Sequence, residues 1–185
     1  GQIRLKNSNL EIKNLYGLIK HNPFYLNLEV RNLGKTTLTL KHARVNANLH
    51  IRDFDLSTLN FCKYSTIFPQ EIRRQLNNFK ILYGNSDINA KIRNNRINAD
   101  VELNNARGVY TIPTQKEVMQ VPIKVINGQI VVKNNRIFLN KINTLVDTMP
   151  VLVYGSVDNI FRKPNFNIHI NSKLVQRTFY KHLTI

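Results

Sequence analysis

The sequence is short of the residues that staple folds and carry out covalent chemistry. Its 185 residues include one cysteine, Cys62, and no tryptophan. A single cysteine excludes an intrachain disulfide and a cysteine metal cluster. Set in an apolar stretch, it reads as a small buried hydrophobe rather than a nucleophile. No apolar run approaches the roughly 18 residues of a membrane-spanning helix. No secretion signal opens the sequence either, so a protein working outside the cytoplasm would be represented here by one piece of a longer chain. Acidic residues are scarce: 11 against 27 Lys and Arg, a formal charge of +16. That surplus governs long-range attraction and points to nucleic acid, anionic lipid headgroups or acidic polysaccharide as partner classes, without choosing among them.

Catalytic constellations are missing too. The five histidines, His21, His42, His50, His169 and His182, are scattered and form no helical metal-ligand pair. Asp53 with Asp55 and Asp100 with Glu102 read as carboxylates sharing a strand face. Such pairs can do acid–base work, but no aromatic cleft flanks them, and solvated strand faces or caps are the simpler reading. No phosphate-binding glycine loop or nucleophile elbow occurs. The sequence points to no enzyme, no metal and no cofactor.

What is present is period-two alternation, the signature of strands with one apolar and one wet face. Phe24, Leu26, Leu28 and Val30 alternate with Asn27, Glu29 and Arg31; Ile97 to Leu103, Val121 to Val125 and Phe166 to Ile170 behave alike. Strands of this kind belong to antiparallel sheets covered on one side only. From Leu38 to Ile51 the apolar parity changes once, which predicts a long strand bulged near Lys41 to Ala43. Asn94-Asn95, Asn104-Asn105, Asn127-Gly128 and Asn134-Asn135 predict tight turns, because Asn and Gly tolerate positive φ. A helical spacing, Ile72, Leu76 and Phe79 after Pro69, predicts two short helices within 56–82, with Asp55 capping the first.

The sequence also repeats itself. At an offset of 127 residues, Gly1-Gln2-Ile3 is echoed by Gly128-Gln129-Ile130, Lys6-Asn7 by Lys133-Asn134, Leu18 by Leu145 and Pro23 by Pro150. Self-similarity at fixed spacing marks an array. The expected organisation is therefore one β-rich section, 1–185, of a longer repeat protein, with an internal repeat of 1–52 and 128–172 and a helical insert at 56–82.

Two stretches carry a resemblance. One runs from the Phe68-Pro69 helix start through Ile81-Leu82-Tyr83-Gly84 to Ala106-Arg107-Gly108. The other joins Ile126-Asn127-Gly128-Gln129-Ile130, Met149-Pro150, Tyr154-Gly155-Ser156-Val157 and Pro164-Asn165-Phe166. Their order resembles the AsmA-like family of bacterial envelope proteins, the group that includes TamB and YhdP. The high Asn and Lys density and the lack of anchor and translocation segments depart from that family. The resemblance implies a mainly β fold: an extended, curved antiparallel sheet forming an open, taco-like groove. It implies a periplasmic, inner-membrane-anchored protein that conducts phospholipid between membranes or supports outer-membrane assembly. Closure of the same strands into a β-sandwich is the alternative architecture.

An apolar face left open needs a cover, and acyl chains of a phospholipid or other lipid supply one at about 0.8 kcal/mol per buried CH₂. The expected floor is Leu26, Leu28, Val30, Ile123, Val125, Ile130, Val132, Val153, Phe166, Ile168 and Ile170, with basic side chains at the rim for anionic headgroups and other envelope proteins as partners. Two other functions stay open: a structural or adhesive β-domain of a large surface protein, and a basic nucleic-acid-binding module. The second is disfavoured because the basic residues form no dense block interleaved with stacking aromatics.

Overall fold

The structure, a computed structural model, describes residues 1–19, 21–33, 43–58, 70–94, 96–114, 117–160 and 164–172. The described residues form one ten-stranded antiparallel sheet in which every strand pairs with its neighbour in sequence. The strands are β1 (Gln2–Lys6), β2 (Asn9–Ile19), β3 (Asn22–Arg31), β4 (Arg44–Asp55), β5 (Phe79–Arg93), β6 (Arg96–Pro113), β7 (Val118–Lys133), β8 (Arg136–Val146), β9 (Met149–Asp158) and β10 (Asn165–Ser172). The sheet is open: it is a meander, and no second sheet faces it among the described residues. The sandwich alternative is thereby set aside.

Among the described residues of the section expected to be helical are a 3-10 turn, Leu56–Thr58, and a helix, α1 (Gln70–Asn77). Asp55 accepts the Ser57 N–H on Oδ1 at 2.9 Å and so caps the 3-10 turn. Phe79 fits the helical spacing but opens β5, where it pairs with Tyr110 on β6. The Pro69 helix start, Cys62, His42, His182 and the bulge expected at Lys41 lie outside the described residues.

Cross-strand register decides which side chains share a face. One row runs Leu26, Leu49, Ala90, Ala99, Val132, Ile137, Val157, Phe166 from β3 to β10. The next runs Phe24, Ile51, Ile88, Val101, Ile130, Leu139, Gly155, Ile168. On β1 and β2 the same face shows Ile3 opposite Ile12 and Leu5 opposite Leu10. The opposite face carries polar rows, such as Asn48, Lys91 and Asn98 followed by Lys133. One face is thus apolar through all ten strands.

Four strands break register in the same way. Two residues oppose one at Lys13-Asn14 on β2, Arg52-Asp53 on β4, Asn104-Asn105 on β6 and Asn140-Lys141 on β8. The second residue of each pair takes a left-handed conformation, φ 50, 50, 50 and 47 respectively. In three of them the following strand supplies the partner. Asn27 Oδ1 accepts the Asn14 N–H at 2.8 Å, Asp87 Oδ1 that of Asp53 at 2.9 Å, and Asn127 Oδ1 that of Asn105 at 2.6 Å. The amide or carboxylate satisfies a backbone donor that the bulge removes from the ladder.

This corrects two expectations. Asn94 and Asn134 do sit at hairpins, but Asn104-Asn105 and Asn127-Gly128 lie inside β6 and β7. Asp53 and Asp55 do not share a regular strand face, because Asp53 is the left-handed bulge residue. Asn adopts that conformation at low cost, whereas other side chains pay about 1–2 kcal/mol. Replacing Asn105 by Ala is expected to lower stability by about 1 kcal/mol, and Asn105→Gly to restore most of it, as read by chemical denaturation.

Shifted by 127 residues, the bounds of β2 and β3 land on those of β8 and β9. The bulges at Asn14 and Lys141, the left-handed Asn32 and Asn159, and the buried Val30 and Val157 coincide under the same shift. So do two loop contacts: Leu33 N–H donates to Ser8 O at 2.8 Å, and Ile160 N–H to Asn135 O at 3.4 Å.

A one-sided apolar face as the candidate functional site

The face is built from side chains that are only half covered. Val30, Ile51, Ile142, Val151 and Val157 are buried, while most of their neighbours in the rows above remain partly accessible. Among the described residues the buried apolar side chains gather in small groups, such as Val30 with Leu33 and Ala43, rather than in one continuous core. At the margins exposure rises sharply: Ile3 is 69% exposed, Phe166 56% and Ile170 66%. Large contiguous apolar areas are uncommon on the surface of monomeric proteins.

Ten of the eleven residues expected to form the floor share this face by register. They are Leu26, Leu28, Val30, Ile123, Ile130, Val132, Val153, Phe166, Ile168 and Ile170. Val125 is the exception. It is exposed, has φ 56, and falls in a register shift of β7 between Lys124 and Asn127. Sequence reading missed the central part of the face, Ile51, Ile88, Ala90, Ala99, Val101 and Leu139. Their alternation is in the sequence, but only strand register shows that they join into one surface.

The polar side has its own organisation. A shallow depression of about 520 Å³ runs between side-chain rows there, lined by Tyr25, His50, Asn89, Lys91, Asn98, Asp100 and Lys133 among others. His50 Nδ1 and Asn89 Oδ1 are 2.5 Å apart, and Arg52 Nε donates to His50 Nε2 at 3.0 Å. Asp100 accepts from Gln129 Nε2 at 2.8 and 2.9 Å, and Gln129 Oε1 from Asn140 Nδ2 at 2.9 Å. These polar side chains are engaged with one another across strands, a ladder that braces the sheet. Among the described residues no three of His, Cys, Asp and Glu converge as a metal site.

One titration is displaced. Glu29 accepts from Arg31 Nε at 2.6 Å and from Asn46 Nδ2 at 3.2 Å. The Arg31 hydrogen bond first, and the Asn46 bond second, hold its carboxyl below the ordinary Glu range. A depressed folded-state pKa contributes stability above the unfolded-state pKa, and that contribution is lost as pH falls through the folded value. Glu29→Gln is expected to shallow the acid limb of the stability–pH curve and leave the neutral region nearly level. Thermal melts across that acid range check it.

Compared with known proteins, the chain matches no family model, no curated protein and no solved structure. Among the described residues no helix is long and apolar enough to cross a membrane.

Proposed function

We propose that this chain is a lipid-handling section of a longer β-repeat protein of the bacterial envelope, in the manner of the AsmA-like proteins it resembles. Acyl chains lie on the apolar face, and the chain carries phospholipid between membranes, or supports outer-membrane assembly, without chemical change. The observation that supports this reading is the apolar face that strand register carries through ten strands, with no second sheet over it among the described residues and its margins exposed. Such a face has no use for a nucleophile or a metal; it needs only width and continuity. The 127-residue correspondence of strands, bulges and loop contacts supports the view of an array.

The test is titration of delipidated protein with a fluorescent phospholipid. Saturable binding displaced by unlabelled phospholipid is expected. No binding, with the face protected from hydrogen exchange and from hydrophobic dyes, would mean protein covers it, and the chain would then be a structural β-domain.

A further inference from the structure

The basic surplus is sorted by the fold in a way the sequence order hides. Each strand has one end on each rim of the sheet. At the rim where the odd strands finish and the even strands begin, the terminal residues are Lys6, Asn9, Arg31, Arg44, Arg93, Arg96, Lys133, Arg136, Asp158 and Asn165. Seven of these ten are basic and one is acidic. At the other rim the terminal residues are Gln2, Ile19, Asn22, Asp55, Phe79, Pro113, Val118, Val146, Met149 and Ser172, none of them basic. The seven cations are exposed and run from β1 to β8, about seven strand spacings or roughly 34 Å.

Register sharpens the point. Arg31 stands opposite Arg44, Arg93 opposite Arg96, and Lys133 opposite Arg136. Like charges directly opposite one another destabilise a sheet, so these three pairs do not serve the fold. Only two of the seven cations have acidic partners among the described residues: Arg31 with Glu29 at 2.6 Å, and Arg136 with Asp158. The same rim exposes apolar side chains one position in from its cations: Leu5 beside Lys6, 62% exposed, and Ile97 beside Arg96, 44% exposed.

We infer that this rim docks on the surface of an anionic bilayer. Lys6, Arg44, Arg93, Arg96 and Lys133 meet the headgroup phosphates, and Leu5 and Ile97 enter the interface beside them. A line of cations next to exposed aliphatic side chains matches a charged, greasy surface. Nucleic acid would ask for aromatic stacking platforms among the cations, and the terminal residues of this rim include no aromatic. The inference deepens the proposed function, placing a membrane along the rim of the face on which acyl chains lie, but it rests on charge placement and stands or falls separately.

The experiment is flotation of the full chain with vesicles of pure phosphatidylcholine and of phosphatidylcholine with phosphatidylglycerol. A variant carrying Arg44→Gln, Arg93→Gln, Arg96→Gln and Lys133→Gln is run beside one that neutralises Arg52, Lys80, Arg107 and Lys124 instead. Thermal unfolding is expected to show the rim variant at least as stable as the parent, since it loses like-charge pairs. Wild type is expected to float with phosphatidylglycerol vesicles in a salt-sensitive manner and not with neutral ones. Each cation near an anionic surface is worth roughly fivefold in partitioning, so the rim variant should lose about 100-fold or more. The control variant should keep most of the binding, and fluorescent-phospholipid binding should be unchanged in both. Equal flotation with neutral vesicles, or a rim variant that binds like its control, overturns the inference. So does tighter binding of single-stranded nucleic acid that is lost with the same four substitutions.

Discussion

Gly84→Ala is expected to remove about 3–5 kcal/mol of stability, a large share of the roughly 5–15 kcal/mol by which domains are stable. Gly84 lies on β5 opposite Asn105 and Ala106, at the bulge of β6. A Cβ there would stand 2.3 Å from Ala106 Cα and 2.7 Å from Ala106 Cβ, and the residue has φ +129, a conformation closed to L side chains. The obstacle is backbone at the centre of the sheet, so no rotamer change relieves it. Gly17 provides the contrast. Its added Cβ would meet the Phe24 ring at 2.6 Å, an edge-proximal side chain that can turn aside, and Gly17→Ala should cost about 1–2 kcal/mol. Urea denaturation of the two variants checks the ranking. Equal losses would mean that the close approach of β5 to the β6 bulge is wrongly described.

The second large effect concerns binding. Replacing Leu26 and Ile130 together by Asp is expected to lower phospholipid affinity by roughly 100-fold or more. A carboxylate on the face excludes several methylenes worth about 0.8 kcal/mol each and must itself be desolvated beneath an acyl chain. Leu26 lies on β3 in the row with Val132, and Ile130 lies on β7 in the adjoining row, so the two charges interrupt the middle of the face. Asn89→Asp with Asn98→Asp adds the same charge on the opposite face and is expected to leave affinity nearly unchanged. Both double variants should keep the far-UV signature of the sheet, because the altered apolar positions are only partly buried. If the polar-face variant loses as much as the apolar-face variant, acyl chains do not lie where the rows of Leu26 and Ile130 place them.

Much of this architecture was legible because period two is a strong signal. Phe24 to Val30, Ile97 to Leu103 and Phe166 to Ile170 each declare a face within one strand, and adjacent hairpins leave a meander as the simplest order. The bulges were not read, although their trace is regular. Ile12 to Leu15, Ile51 to Phe54, Leu103 to Ala106 and Leu139 to Ile142 each place two polar residues where alternation allows one. The Asn and Asp residues in these gaps resemble turn formers because a bulge and a turn ask the same left-handed backbone of them. Phe79 fitted a helix by spacing alone; its partner Tyr110 lies 31 residues away and decides for strand. Basic side chains at a rim were expected, but which cations gather there was illegible for a related reason. Arg31 and Arg44 stand at the ends of different strands, and nothing local ties them to Arg93 or Lys133; only common strand ends gather them.

The most direct test of the apolar face as a lipid site is native mass spectrometry of the chain isolated from bacterial membranes without delipidation, followed by extraction and identification of what is released. Adducts of phospholipid mass are expected, lost on delipidation, regained on titration and strongly diminished in the Leu26→Asp, Ile130→Asp variant. A clean apo mass under conditions that preserve known lipid adducts, with none gained on titration, would contradict the account and leave the face as a site for protein.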